Sequence, residues 1–163
     1  MSGQVILSLG SNLGDSRALL RSAVERVRSI LTHLRVSSVW KTAAVGPVAQ
    51  EDFLNLALAG FCDLDPLALL DRLQQIEADH GRQRDREVPK GPRTLDIDIV
   101  LYGKRIMNTA RLTIPHPGLL QRRFVLVPLL ELVPDCADPV TGRLLFDAAA
   151  GLEDQNMERM GPL

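Results

Sequence analysis

Aromatic residues are scarce here: one Trp, one Tyr and four Phe, 4% of 163 residues. A surface that stacks RNA bases needs several aromatics on exposed strands, so this shortage argues against one. There is no basic excess either. Lys and Arg number 19 against 20 Asp and Glu, a net charge of −1. General nucleic-acid or membrane-surface binding is disfavoured, and any positive site must be local. The two cysteines, Cys62 and Cys136, lie far apart with no CxxC or Cys/His spacing. That argues against a zinc site or a disulfide framework and fits reduced thiols. No apolar run approaches the ~18 residues of a membrane span. Met1-Ser2-Gly3-Gln4-Val5 has no basic segment ahead of a long apolar run, so the expected location is cytoplasmic. The usual phosphate loops are missing. Asp15 stands where the second glycine of G-x-x-x-x-G-K-[ST] would follow Gly10, and there is no G-x-G-x-x-G and no nucleophile elbow.

What is present reads as one domain with a sizeable core. Val5 to Leu9 is a buried strand that stops at Gly10-Ser11-Asn12-Leu13-Gly14. Asp15 caps a helix with Leu20, Ala23, Val24, Val27, Ile30 and Leu31 on one stripe. Leu34 to Thr42 and Phe53 to Phe61 are strands. Asp65 and Pro66 start a second helix, with Leu69, Leu70, Leu73 and Ile76 inward and Gly81 as its stop. An irregular basic loop runs from Arg82 to Arg93, and a strand continues from it to Tyr102. The order strand-helix-strand-strand-helix-strand predicts an α+β, ferredoxin-like antiparallel sheet with helices packed on it. The C-terminal extension is less regular. Pro128 is expected to prevent one uninterrupted helix over Phe124 to Leu132, Leu144 to Leu152 suits a short helix, and the tail from Glu153 is expected to fray.

The chemistry gathers around Lys90-Gly91-Pro92-Arg93-Thr94-Leu95-Asp96-Ile97-Asp98-Ile99. Asp96 and Asp98 alternate with aliphatic residues, so both carboxylates face one way, roughly 7 Å apart along the strand. They could hold a divalent metal or stand as solvated acids on an exposed face. Arg82, Arg84, Arg86, Lys90 and Arg93 just upstream could clamp a triphosphate, or form an ordinary charged loop. Gln74 and Glu77, one helical turn apart, could read a ligand's polar edge or lie on an exposed helix face. His116, held between Pro115 and Pro117, is a phosphate donor or a turn residue. Of Arg122 and Arg123, one can face a ligand and the other solvent. Phe53 and Phe124 could sandwich a planar ring or pack in the core. Asn55 shares a strand face with Phe53, and a buried amide there needs partners.

These pieces together resemble the 6-hydroxymethyl-7,8-dihydropterin pyrophosphokinase family of folate biosynthesis. The matching segments are Leu7 to Asp15, Phe53-Leu54-Asn55, Gly81-Arg82-Gln83-Arg84, Gly91 to Asp98, and Ile114-Pro115-His116-Pro117 with Arg122 and Phe124 after it. The resemblance implies transfer of diphosphate from ATP to the pterin's hydroxymethyl group, with release of AMP. It implies two magnesium ions on Asp96 and Asp98, with Arg82 and Arg93 completing the catalytic set. Gln74, Glu77, Arg84, Arg93, Ile99, Thr113, His116 and Arg122 would serve ATP. Gly10, Thr42, Ala44, Val45, Phe53, Asn55, Arg122 and Phe124 would serve the pterin, with Phe53 and Phe124 stacked on its two faces. The expected partners are these small molecules alone, with no nucleic acid or membrane, and the expected state is monomeric. Lys90 stands where many relatives carry an aromatic. Two rivals share parts of this pattern: another two-metal nucleotidyl or phosphoryl transferase, and an RRM-like RNA-binding module.

Overall fold

The computed structural model describes residues 3–44, 49–82, 91–92 and 94–163. Its first strand, β1 (Gly3–Ser11), is buried over most of its length. The Asp15 carboxylate then accepts the Ala18 N–H at 3.1 Å. This side chain takes one of the donors left unpaired at the start of α1 (Ser16–Arg28). Leu20, Ala23, Val24 and Val27 are the residues α1 buries, as the apolar stripe requires.

The single strand expected over Leu34 to Thr42 is two strands, β2 (Thr32–Val36) and β3 (Val39–Thr42). Ser37 explains the break. Its hydroxyl accepts the Ala57 N–H at 2.8 Å, a donor that an unbroken ladder would give to a main-chain carbonyl. Both short strands pair with β4 (Phe53–Cys62), β3 along its first half and β2 along its second. Next, α2 (Pro66–Asp79) has the expected cap, Asp65 accepting from Leu67 N–H, and the expected stop, Gly81 at φ +87°. The carboxylate strand is β5 (Asp96–Tyr102). A small hairpin comes after it, β6 (Met107–Asn108) with β7 (Thr113–Ile114). α3 (Arg123–Leu132) and α4 (Leu145–Ala150) come next.

Two expectations for the C-terminal part are corrected. α3 runs through Pro128 without interruption. A proline inside a helix costs about 3 kcal/mol. Burying Val125, Leu126 and Leu129 offsets it, at roughly 1.5–3 kcal/mol for each side chain. The polar tail does not fray. Met157–Gly161 forms β8, an antiparallel edge strand on β3. Arg17 of α1 donates to the Pro162 carbonyl at 3.1 Å and ties down the C-terminus beyond the strand. Main-chain pairing holds β8, which is why its sequence shows no apolar period.

The main sheet is antiparallel, in the order β5-β1-β4-β3-β8, with β2 also on β4. One face carries Leu7, Leu9, Leu56, Leu58, Ile97 and Ile99, and packs on the stripes of α1 and α2. The other face carries Ile6, Ala57, Ala59 and Val100 beneath Val125, Leu126 and Leu129 of α3 and Leu145 and Ala148 of α4. α3 is also tied to β3: Glu131 accepts from the Trp40 indole N–H at 2.7 Å and from the Ser38 N–H at 3.0 Å. Further along this second face the side chains turn small and polar, and the carboxylates stand there.

Candidate active site

Strand register sets the first line of the site. Gly10 of β1 pairs with Asn55 of β4 on one side and with Asp96 of β5 on the other. Trp40 of β3 continues the row beyond Asn55. Two residues along, Ser8 pairs with Asp98 and with Ala57. Residues two apart on a strand share a face. A ligand lying over Gly10 would therefore meet an amide at one end and carboxylates at the other.

Gly10 has to be small. A Cβ there would lie 2.8 Å from Asn55 Oδ1 and 3.6 Å from the Phe53 ring. Asn55 is 4% exposed, and its Nδ2 donates to Thr42 Oγ1 at 2.7 Å. That bond fixes which way the amide faces. Asn12, also 4% exposed, donates to Gln50 Oε1 and to the Glu51 carbonyl, at 2.8 and 2.9 Å. It pins the end of the segment that leads into Phe53. The sequence pattern assigns no role to Asn12 or Ser8; Asn12 belongs to the Gly10-Ser11-Asn12 turn, and that turn is the available signal.

Beside the carboxylates lies a buried ion cluster. Arg82 Nη1 donates to Glu77 Oε2 at 2.8 Å, to Asp96 Oδ1 at 2.7 Å and to the Leu95 carbonyl at 3.3 Å. Glu77 Oε2 also accepts the Ile97 N–H at 2.8 Å. The Glu77 side chain is 1% exposed and that of Arg82 6%. The exposed helix face, one of the two readings open to Glu77, is thus corrected, and the side chain turns to Arg82 and the Ile97 N–H. It falls four residues after Leu73 and seven after Leu70, on the apolar stripe of α2. A charge on such a stripe stays ionised only when paired. Glu77 therefore sets the start of β5 and the direction of Arg82, which in turn holds Asp96.

Asp98 sits differently. Its side chain keeps 36% of its surface exposed, with His116 Nε2 3.8 Å away. Its pKa is pushed up from 3.8 to about 7, first by withdrawal from water and then by the charges of Asp96 and Glu77; Arg122 and Arg82 oppose the rise. A divalent cation beside Asp98 would offset that repulsion and favour its ionised form. His116 moves the other way. Burial lowers its pKa, the Arg122 charge adds to that, and Asp96 resists. The Gly118 N–H donates to His116 Nδ1 at 3.0 Å, so the neutral ring carries its proton on Nε2 and turns it toward Asp98.

Arg122 completes this side. Its guanidinium carbon lies 5.8 Å from the centre of the Phe124 ring. A Cβ on Gly118 would stand 2.5 Å from Arg122 Nε, so the glycine clears the path of the side chain. Arg123 turns away and donates to the Gln155 carbonyl at 2.8 Å. Of the remaining expected residues, Thr113 is half-buried on β7 and Gln74 half-buried on α2. Ile99 is 2% exposed in the core beneath the sheet, so only its main chain could meet a ligand. Ala44 ends the described part of its segment. Val45, Arg84 and Arg93 lie outside the described residues, as do Arg86 and Lys90.

A ferredoxin-like sheet with paired carboxylates on an edge strand, and an arginine and a neutral imidazole beside them, is an arrangement that suits the class of enzymes that move phosphoryl groups. The comparisons with known proteins narrow it. The family model for 7,8-dihydro-6-hydroxymethylpterin-pyrophosphokinase matches residues 6–134. The 2-amino-4-hydroxy-6-hydroxymethyldihydropteridine pyrophosphokinase of Haemophilus influenzae is 39% identical over 158 residues, 96% of this chain and 97% of that protein. The protein of the same name from Pseudomonas aeruginosa is 38% identical over 162 residues, 98% of each. A Plasmodium falciparum HPPK-DHPS crystal structure, with pterin and p-hydroxybenzoate, shares the fold at a TM-score of 0.70 and 15% identity. The match covers 93% of this chain but 42% of that one. This chain belongs to the 7,8-dihydro-6-hydroxymethylpterin-pyrophosphokinase family, and it is a pyrophosphokinase of folate biosynthesis.

Proposed function

We propose that the cleft over Gly10 brings ATP and 6-hydroxymethyl-7,8-dihydropterin together for a single in-line transfer. The pterin hydroxyl oxygen bonds to the β-phosphorus of ATP. The bond between that phosphorus and the oxygen bridging to the α-phosphorus breaks, and AMP leaves with that oxygen. The hydroxyl proton is released. The observation that carries this reading is the row Asn55-Gly10-Asp96, which offers one ligand end a fixed amide and the other a carboxylate pair.

Asp96 and Asp98 are the candidate holders of magnesium, as two ions. The donor set fits: carboxylate oxygens with no sulfur suit a hard cation, and Arg122 and Arg82 only partly offset the burial and like charges that act on Asp98. No group of three or more His, Cys, Asp or Glu is clustered for a metal among the described residues. Phosphate oxygens and water would supply the other ligands, as is usual for magnesium. When bound, the ions neutralise phosphate charge.

The chain's own residues do the rest. Asn55, oriented by Thr42, reads the pterin edge, and Phe53 and Phe124 stack on its faces. Arg122 and the Nε2 proton of neutral His116 meet phosphate oxygens, alongside Gln74, Thr113 and the main chain at Ile99. Arg82 and Glu77 act through Asp96, whose position they fix. Arg84 and Arg93 would serve the triphosphate, and Ala44 and Val45 the pterin. The protein positions its substrates and offsets charge, with little covalent work. The chain acts as one domain over 1–163, as a cytoplasmic monomer with small-molecule partners. Its net charge of −1 supports the absence of a nucleic-acid role.

Product analysis tests the reading. With magnesium, ATP and the reduced pterin alcohol, the protein should release AMP and a diphosphorylated pterin in equal amounts. Release of pyrophosphate instead would make it a nucleotidyl transferase and overturn the proposal.

A further inference from the structure

α3 carries Arg122 and Phe124 at its start, yet it has no local cap. Arg122 occupies the capping position with extended backbone (φ −120°, ψ 98°) and gives no side-chain capping bond. The orphan groups are met from 32 residues downstream. Gln155 Oε1 accepts the Arg123 N–H at 2.9 Å, and Gln155 Nε2 donates to the Gln121 carbonyl at 2.9 Å. The Gln155 main-chain carbonyl takes the Arg123 guanidinium at 2.8 Å. One side chain thus grips the chain immediately before and immediately after Arg122. Between those grips, the Arg122 carbonyl accepts from both Val125 and Leu126. The Arg122 carbonyl and the residues on both sides of it are thus held. The Arg122 side chain is left free to run over Gly118 toward the Phe124 ring.

We propose that Gln155 is a positioning residue for the Arg122–Phe124 wall of the cleft. Gln155 lies beyond residues 6–134, which the family match covers, so this device is argued from this chain's own contacts. The proposal rests on the pyrophosphokinase reading, in which Phe124 stacks on the pterin and Arg122 meets the phosphate oxygens of ATP. It needs no contact between Gln155 and either substrate. Side chains without a fixed backbone under them lose geometry before they lose fold, and loose positioning costs binding and rate.

The test compares Gln155→Ala, Gln155→Glu and Phe124→Ala in the full-length protein. Pterin affinity is measured in the presence of a non-hydrolysable ATP analogue, and analogue affinity is measured alone. Gln155→Ala should weaken pterin binding by about ten-fold and analogue binding, through Arg122, by no more than about three-fold. Gln155→Glu keeps an acceptor for the Arg123 N–H but turns a carboxylate oxygen on the Gln121 carbonyl in place of the donor, so its pterin affinity should fall between those of the parent and Gln155→Ala. Unchanged pterin affinity in Gln155→Ala, when Phe124→Ala weakens it, overturns the positioning role. So does an equal loss for both ligands, which would mark a general structural part. Unchanged affinity in Phe124→Ala would instead overturn the reading of the wall, and the proposal with it.

Discussion

Asp98→Asn should abolish most turnover, by about 10²–10³-fold or more, and yet make the metal-free protein more heat-stable above about pH 7. The two effects have one cause. Asp98 has a folded-state pKa of about 7 against an ordinary 3.8. Between those values the folded chain holds a proton that the unfolded chain has released. Stability therefore falls as pH rises through that window and levels off above about 7. Asparagine has no proton to lose, so its melting temperature should decline less over the same range. It also removes a charge that Asp96 and Glu77 repel. Thermal melts in a chelator, from below pH 4 to above pH 7, read this directly. Parallel profiles for the two proteins would mean that Asp98 carries no such strain.

Glu77→Ala should be the most damaging substitution for the fold among the site residues. It strips Arg82 of a partner 2.8 Å away and leaves the Ile97 N–H without its acceptor. Breaking a buried ion pair from one side costs about 3–5 kcal/mol. Asp96 still faces Arg82, so the lower end of that range, about 3 kcal/mol, is expected. Glu77→Gln keeps an oxygen for these donors and should cost about half as much or less. Urea unfolding gives both numbers. A Glu77→Ala protein with unchanged stability but weakened ATP binding would put Glu77 in contact with ATP and contradict the positioning role.

Much of the fold could be read from periodicity, because both long helices and the central strands announce what they bury. Leu20 to Val27 and Leu69 to Ile76 form stripes, and those stripes are buried in the structure. The misread parts are those where burial is not the organising force. β8 is held by its ladder to β3, and the break at Ser37 comes from a hydroxyl that replaces a carbonyl. Glu77 was legible in principle, on the stripe of α2, but its polarity suggested the outside.

The candidate site divides the same way. Alternation along β5 sets Asp96 and Asp98 on one face, and that required only the pleat. Their alignment with Gly10 and Asn55 is a matter of register between three strands, which no single segment encodes. Gln155 has the least local signal. Its partners Gln121 and Arg123 are more than 30 residues away, and its own neighbours form a polar turn.

The central claim is that Asp96 and Asp98 gather a divalent cation together with the nucleotide. Manganese can stand in for magnesium and be tracked by its electron spin resonance, with a non-hydrolysable ATP analogue and protein in excess. The parent protein should sequester manganese in the presence of the analogue, and Asp98→Asn should hold it at least about ten-fold more weakly. Equal manganese binding by the two proteins would contradict the account.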